Sequence, residues 1–408
     1  MCLAVAALSL LGACGGAAGK HSSSPSPSPL TAASILIRPA AGARDVIPGR
    51  PITVKVAHGR IVRVTVKGPG QPVVGSLNAS GTVWRSHVTL EVDARYGVEA
   101  TAVNASGKTT TARSSFRTLT PAETFSAEIF EGYRQTYGVG MPLILTFDIP
   151  ITNRRAVERA LELQTSKRVV GAWYWDGDTT LYFRPRDYWP VGTRVRFVAR
   201  LDGIQGAPGV WGDHTLTQSF VIGRSLIAVA DTQTHRALIY RDRRLYADWP
   251  MSSGRPGDDT PNGTYLTIDK GNPVDMIGPG YNIEVPWSVR FTWSGDFLHD
   301  AYWSVGEQGF TNVSHGCVNL SPLDAQTYYE MAVPGDPVTI KGSPRAGSWD
   351  NGWTVWFLSF KQLWQGSALH EAVVAGPTGS AFVKPTTLRH SHAKAPLGRP
   401  AADNAAAA

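Results

Sequence analysis

Residues 314–320 read Ser-His-Gly-Cys-Val-Asn-Leu, and a second histidine, His299, stands upstream in the stretch Phe-Leu-His-Asp-Ala-Tyr-Trp of residues 297–303. A free cysteine thiol has a pKa of about 8.5, so at neutral pH it needs a base to become a nucleophile. His299 and His315 are the two local candidates for that base. On an extended strand, His315 and Cys317 would face the same side, because side chains alternate with a period of two.

The cysteine content singles out the thiol of Cys317. The chain has 3 cysteines, and the other two, Cys2 and Cys14, lie in an apolar leader. The leader ends in Leu-Gly-Ala-Cys at residues 11–14, which resembles a bacterial lipobox, where cleavage precedes the cysteine and the cysteine is lipidated. Once the leader is removed and Cys14 is acylated, Cys317 has no intramolecular disulfide partner. A lone thiol in an oxidising compartment is a liability unless it is used, so this pattern predicts a functional Cys317.

Length and composition favour several β-rich domains. A chain of 408 residues is long enough for two to four domains. Its 42 glycines and 28 prolines suit turn-rich β structure, and 42% hydrophobic residues exclude global disorder. The net charge of +7 suits contact with anionic surfaces, but no RNA- or DNA-reading motif is present, so no nucleic-acid partner is predicted.

Composition shifts along the chain predict its domain boundaries. Short period-two strands with turn signals between them, such as Ile52–Val56 and Ile61–Val66, indicate sandwiches of immunoglobulin type. Arg154–Leu163 has helical spacing and predicts a short helix at the edge of the second sandwich. The predicted segments are a signal peptide (1–13), a Ser/Pro tether (14–30), immunoglobulin-like domain 1 (31–118), immunoglobulin-like domain 2 (119–223), a β-rich catalytic domain (224–342), a Trp-rich C-terminal subdomain packed as a strap on the catalytic domain (343–375) and a disordered tail (376–408).

The pattern of a histidine, Ser-His-Gly-Cys-Val-Asn and these flanking domains resembles the L,D-transpeptidase family, whose catalytic domain is of the YkuD type. Two immunoglobulin-like modules, a β-rich catalytic domain and a Trp-rich strap are similar to the mycobacterial and actinobacterial lipoprotein members. The resemblance covers roughly residues 30–372 and implies a mainly β fold.

The resemblance assigns roles to individual positions. It implies that Cys317 is the nucleophile and that His299 is the general base, oriented by the backbone carbonyl of Asp300. The Asp300 side chain departs from the family pattern, where a small residue is commoner; its carboxylate would stabilise an imidazolium or face solvent. The resemblance further implies that the pocket and the nucleophile strand are supported by His315, Ser314 and Asn319. The oxyanion hole would be formed by the N–H groups of Gly316 and Cys317 and the hydroxyl of Tyr281. A substrate channel under a lid of about residues 270–303 would be lined by Trp303, Trp293 and Met276.

The chemistry that the resemblance implies is acyl transfer without a cofactor or a metal. Cys317 attacks the bond between the third residue of a stem tetrapeptide and its terminal D-Ala, and a diaminopimelate amine of a second stem resolves the thioester to give a 3→3 cross-link. The implied partners are peptidoglycan stem peptides, carbapenem-type β-lactams that acylate the same thiol, and the membrane through the lipid on Cys14. The enzyme would face the cell wall from the outer side of the membrane, with residues 31–223 as separable spacers.

Other interpretations remain open on sequence alone. Water in place of the amine would make the protein an L,D-carboxypeptidase. A non-catalytic wall-binding lipoprotein built on the same modules is an interpretation from a different class. The two histidines and Cys317 would also suit a zinc site if a further ligand joined them, and a lone cysteine is elsewhere often an inert buried thiol.

Overall fold

The computed structural model of the chain describes residues 31–278 and 281–388. The predicted signal peptide, the tether and Cys14 lie outside these residues, as does the side chain of Tyr281. Within the described residues, no helix is long and apolar enough to cross a membrane. The architecture is mainly β, as the sequence predicts, with short helices between the sheets.

The first module is a two-layer sandwich. Its sheets have the strand orders β1-β2-β5-β4 and β3-β6-β7, and side chains of both, among them Val54, Trp84, Tyr96 and Phe116, meet in one core. Alternate residues of β6 are buried, as expected for a strand with one face toward a core. The strands are β1 Ser34–Arg38, β2 Thr53–Ala57, β3 Arg60–Lys67, β4 Gly75–Leu77, β5 Val83–Ser86, β6 Arg95–Val103 and β7 Thr109–Arg117.

The second module is built on a large sheet with a small three-stranded one beside it. The predicted helix is shorter than the sequence suggests, because α1 ends at Arg159 and Leu161–Thr165 is a strand that pairs with Arg194–Arg200. The elements are β8 Glu123–Phe125, β9 Ala127–Ile129, β10 Thr136–Tyr137, β11 Leu143–Phe147, α1 Arg154–Arg159, β12 Leu161–Thr165, β13 Val169–Asp176, β14 Thr180–Pro185, β15 Arg194–Arg200, β16 Gln205–Ala207, β17 Val210–Gly212 and β18 Thr215–Ile222.

The third module contains both histidines and Cys317. A five-stranded sheet of order β21-β20-β19-β29-β22 and a four-stranded sheet of order β23-β26-β27-β28 enclose its core, and β24-β25 form a hairpin. Helix α2 begins after Ser321, whose hydroxyl caps the Asp324 amide. The elements are β19 Leu226–Asp231, β20 Arg236–Arg241, β21 Arg244–Pro250, β22 Gly263–Leu266, β23 Lys270–Gly271, β24 Val274–Gly278, β25 Tyr281–Val285, β26 Ser288–Arg290, β27 Phe297–Asp300, β28 Val318–Leu320, α2 Pro322–Met331 and β29 Pro337–Lys341. A 3₁₀ turn at Tyr302–Ser304 follows β27.

The C-terminal strap, here residues 343–388, returns to the second module, which corrects two predictions. It contains a 3₁₀ turn at Val355–Phe357, α3 Phe360–Gln365, β30 Ala372–Gly376, β31 Gly379–Val383 and a 3₁₀ turn at Pro385–Thr387. Strand β30 lies between β12 and β13, parallel to the first and antiparallel to the second, and β31 pairs with β30. The strap is therefore not packed on the catalytic domain alone, and the predicted disordered tail is wrong for residues 376–388; residues 389–408 lie outside the described part.

A buried carboxylate fastens the strap to the second module. Glu158 of α1 is completely buried. Its oxygens accept hydrogen bonds from Trp175 Nε1 at 2.8 Å, Ser367 Oγ at 2.7 Å, the Ala368 amide at 2.6 Å and the Leu369 amide at 3.2 Å. Because a carboxylate has about four acceptor positions, these donors satisfy it fully. Three of the four donors come from residues 367–369, so the strap completes this site as well as the sheet.

The second and third modules also meet directly. Arg224, in the link between them, donates two hydrogen bonds to the buried Asp336 at 3.0 and 3.1 Å. The amides of Gly138 and Gly140 donate to the carbonyls of Pro334 and Gly335 at 2.8 and 2.9 Å. Modules two and three and the strap thus form one folding unit, whereas module one is a separate sandwich with its own core.

Candidate active site

The pairing of β27 with β28 brings the upstream histidine to the cysteine motif. The two strands are parallel, and His299 is directly opposite Asn319. Paired residues point to the same face of a sheet, so His299 and Asn319 share a face. Cys317 stands two positions before Asn319, just ahead of β28, and its thiol lies 3.8 Å from the carbonyl oxygen of Gly295, just before β27. The strand pairing thus brings together in space two segments whose residues His299 and Cys317 are eighteen positions apart in the sequence.

The imidazole of His299 is held in one tautomer. Its Nδ1 lies 2.7 Å from the backbone carbonyl oxygen of Asp300, the partner that the family resemblance implies. A carbonyl oxygen only accepts, so Nδ1 carries the proton and Nε2 keeps its lone pair in the neutral ring. The ring of Trp303 stacks on the imidazole with centroids 5.9 Å apart. Nε2 is therefore the ring nitrogen of His299 that can accept a proton.

Burial makes the neutral forms of both groups the stable ones. Desolvation lowers the pKa of His299 to about 4, against smaller opposing effects of the Asp300 carbonyl and the Asn319 side chain. Desolvation raises the pKa of Cys317 to about 12, the charge of Asp296 adds to this, and a hydrogen bond from the Phe297 backbone opposes it. The resting pair is thus thiol and imidazole.

The serine of the motif folds the loop around Cys317. Ser314 Oγ donates to the Cys317 carbonyl at 2.6 Å and accepts from the Gly316 amide at 3.1 Å. Thr260 Oγ1 donates to the Gly316 carbonyl at 2.6 Å. The Gly316 amide is therefore already engaged, which corrects its prediction as an oxyanion donor. The Cys317 amide and the Tyr281 hydroxyl stay predictions in that role.

Gly316 is required by its geometry. Its φ is +134°, a value that L side chains rarely adopt. A Cβ at this position would lie 2.4 Å from Asp296 Oδ1, well inside contact distance. The backbone bends at residues 315–317, and β28 begins only at Val318. The prediction that His315 and Cys317 share one face of an extended strand is therefore wrong, and the His315 side chain is exposed.

Asp300 and Asn319 occupy different sides of the site. Neighbouring residues of a strand face opposite ways, so the Asp300 carboxyl group points away from the imidazole of His299. It is buried, its Oδ1 has no hydrogen-bond partner among the described residues, and desolvation raises its pKa. Neither predicted role of this carboxylate fits. Asn319 is buried on the His299 face, and its Nδ2 donates to Ser304 Oγ at 2.9 Å.

The predicted channel residues fall in three places. Trp303 is 45% exposed beside His299. Trp293 is 49% exposed in the loop before β27, with its ring edge-on to Trp353 of the strap at 5.9 Å. Met276 lies on β24 opposite Ile283. The predicted lid of about residues 270–303 also includes β26 and β27, Ser288–Arg290 and Phe297–Asp300, which belong to the sheet that carries His299.

Several residues around the motif had no signal in the sequence. Segment 252–260 supports the motif through backbone bonds between Ser252 and Asn319 at 3.1 and 2.8 Å and through Thr260. Asp296 lies beside Cys317 although nothing in its local pattern marks it. In the sequence, only its position three residues before His299 relates it to the predicted site.

Within residues 31–278 and 281–388, no group of three or more His, Cys, Asp or Glu side chains is arranged to hold a metal ion.

Comparison with known proteins agrees with this fold. Residues 225–340 match the family model for the L,D-transpeptidase catalytic domain, and residues 43–205 match that of a bacterial Ig domain. L,D-transpeptidase 5 of Mycobacterium tuberculosis (strain ATCC 25618 / H37Rv) is 35% identical over 80% of this chain and 75% of its own length. L,D-transpeptidase 2 of Mycobacterium tuberculosis (strain CDC 1551 / Oshkosh) is 33% identical over 77% and 82%. The solved structure of the L,D-transpeptidase LdtMt1 in complex with imipenem is 33% identical over 54% of this chain and 100% of its own, with a TM-score of 0.46.

These matches define an acyl-transferring enzyme, a transpeptidase with immunoglobulin-like modules. More particularly, the chain belongs to the L,D-transpeptidase family. The predicted fold class and the resemblance that the motif suggested are confirmed.

Proposed function

We propose that Cys317 is the nucleophile of the transpeptidase and that His299 is its general base. The observation that carries this proposal is the parallel pairing of β27 and β28, which sets a base of fixed tautomer opposite Asn319, two residues after Cys317. A thiol with a raised pKa cannot ionise unaided at neutral pH, so a neighbouring base is required. Nε2 of His299, neutral above about pH 4, meets that requirement.

The proposed reaction is two successive acyl transfers. Nε2 takes the proton of the Cys317 thiol as sulfur attacks the carbonyl carbon of the third stem residue. The C–N bond to the terminal D-Ala breaks, and the imidazolium gives its proton to the departing amine. A thioester remains on the sulfur. The side-chain amine of a diaminopimelate on a second stem then forms a C–N bond with that carbonyl, the C–S bond breaks, and a 3→3 cross-link results.

The test uses the full chain and two reagents. A carbapenem carries a strained amide that a reactive thiol opens, so one covalent adduct is expected by intact-mass spectrometry in the parent and none in Cys317→Ala. A disaccharide-tetrapeptide is expected to yield a cross-linked dimer and free D-Ala. Free D-Ala with tripeptide but without dimer would identify an L,D-carboxypeptidase instead, and the absence of any adduct on the parent would contradict a reactive Cys317.

The location of the enzyme is a second part of this proposal. The leader ending at Cys14 and the Ser/Pro stretch of residues 22–29 support export, lipidation of Cys14 and a tether that places the enzyme at the membrane, facing the wall. In cells fed an alkyne fatty acid, the parent is expected to take up the label and to sediment with membranes, whereas Cys14→Ala loses both properties. An unlabelled parent would contradict the anchor while leaving the chemistry at Cys317 untouched.

A further inference from the structure

A buried carboxylate stands beside the nucleophile without a role in the reaction described so far. Asp296 belongs to the loop of residues 291–296 that joins β26 to β27, and it is 6% exposed. Its Oδ2 accepts hydrogen bonds from Thr292 Oγ1 at 2.7 Å and Ser294 Oγ at 3.1 Å. Its own amide donates to Thr292 Oγ1 at 2.8 Å. The loop therefore fixes this carboxylate through one oxygen only.

The other oxygen, Oδ1, faces the cysteine motif. It lies 2.4 Å from the position that a Cβ on Gly316 would take. The charge of Asp296 is felt at the sulfur, where it disfavours the thiolate. Among the described residues Oδ1 accepts no hydrogen bond, yet it is not one of the polar atoms that are sealed from solvent without a partner. Oδ1 therefore keeps some contact with solvent.

The charge of this carboxylate is not compensated by a neighbour. None of the ion pairs between described residues includes Asp296. The carbonyl of Gly295 adds a second oxygen with partial negative charge 3.8 Å from the sulfur. A negative site is unfavourable for the first half of the reaction, because it opposes charge on sulfur. It suits the second half, in which a cationic amine must approach the same carbon.

We propose that Oδ1 of Asp296 binds the ammonium group of the acceptor stem and holds its nitrogen next to the thioester on Cys317. This inference rests on the proposed function and deepens it, since it assigns an acceptor-binding residue to the same site. A charge-assisted hydrogen bond from an ammonium to a fixed carboxylate is strong and directional in a partly desolvated pocket. Hydrolysis has no such partner, so Asp296 favours cross-linking over water.

The proton balance of the step is complete. The bound ammonium releases one proton to solvent and becomes a neutral amine. The nitrogen attacks the thioester carbonyl, the C–N bond forms and the C–S bond breaks. The second nitrogen proton passes to Nε2 of His299 and from there to the departing sulfur of Cys317, which restores the neutral thiol and imidazole.

The decisive variant is Asp296→Asn in the full chain. An amide keeps an oxygen toward Thr292 and Ser294, so the loop is retained, while the charge at the Oδ1 position is lost. With disaccharide-tetrapeptide as donor and acceptor, we expect the ratio of dimer to tripeptide to fall about tenfold and the KM for the acceptor to rise correspondingly. The rate of carbapenem acylation is expected to rise, because the negative charge that opposes the thiolate is gone.

Two controls separate binding from structure. Thr292→Val removes one of the two hydroxyl groups that donate to the Asp296 carboxylate but keeps its charge. The rates of acylation and of cross-linking are expected to fall together. Asp248→Asn removes an exposed carboxylate from the same module, where it pairs with Arg236, and is expected to change neither. An unchanged dimer-to-tripeptide ratio in Asp296→Asn, or equal losses in acylation and cross-linking, would overturn the inference. If the parent itself gives no carbapenem adduct, the proposed function fails instead.

Discussion

Replacement of His299 by alanine is expected to lower the rate of Cys317 acylation at pH 7 by a factor of about 10³ or more. The physical reason is the raised pKa of the thiol, about 12, at which only a minute fraction is thiolate at neutral pH. Without an imidazole to accept the proton, the attack depends on that fraction. The measurement is the first-order rate of carbapenem adduct formation, followed by intact-mass spectrometry.

The pH dependence distinguishes a lost base from a disturbed fold. In the parent, burial lowers the pKa of His299 to about 4, so the base stays neutral and active until the pH falls to about 4. The acid limb of the acylation rate should therefore lie near pH 4 and not near the ordinary 6.5 of histidine. In His299→Ala, the rate should rise about tenfold per pH unit, because the thiolate fraction grows tenfold per unit below the pKa of the thiol.

Two matched histidine variants complete this experiment. His315→Gln changes an exposed side chain of the motif and is expected to cost about tenfold or less, since its ring is not the base. His58→Gln, in module one, is expected to leave the rate unchanged. A larger loss in His315→Gln than in His299→Ala, or a His299→Ala rate that does not depend on pH, would reassign the base and contradict the proposal.

The local features of the site could be predicted from sequence, and the long-range ones could not. The spacing of His299 and Cys317 and the Asp300 carbonyl partner follow from a motif within 25 residues. Strand β30 could not be placed, because Ala372–Gly376 is a short apolar run whose neighbours, β12 and β13, lie about 200 residues earlier. Sequence patterns report which residues are buried but not which distant strand they join. For the same reason the sequence did not reveal Asp296, which lies next to Gly316 only in the folded chain.

The placement of β30 also changes the interpretation of the second module. Residues 31–223 were expected to act as separable spacers. The structure instead gives module two and the strap a shared core, in which Trp353, Trp356 and Val373 pack with residues of β11 to β15. Removal of residues 119–223 would expose these side chains and take away both strands of module two that pair with β30, namely β12 and β13. Only module one is separable, so a chain that begins near residue 119 should keep its activity on soluble stem peptides.

Glu158→Ala is the substitution that should destabilise this unit most, by about 3–5 kcal/mol in the free energy of unfolding. It leaves three donors without their acceptor, Trp175 Nε1, Ser367 Oγ and the Ala368 amide, whereas the Leu369 amide keeps Ser367 Oγ at 3.2 Å. Because two of these three belong to the strap, limited proteolysis should cut the variant first within residues 343–388. Urea unfolding of the full chain, monitored by tryptophan fluorescence, measures the loss.

The matched control is Glu162→Ala, four residues further along the same module. Glu162 is partly exposed and pairs with Arg200 at 3.0 Å on the surface, and such pairs contribute about 0–1 kcal/mol. If the strap is a structural part of module two, Glu158→Ala should lower both the unfolding midpoint and the protection of the strap, while Glu162→Ala should change neither appreciably. Equal small effects of both variants would mean that the strap is held by its apolar core alone. A Glu158→Ala protein with a loosened strap and full acylation of Cys317 would show that the strap stabilises module two without ordering the catalytic site.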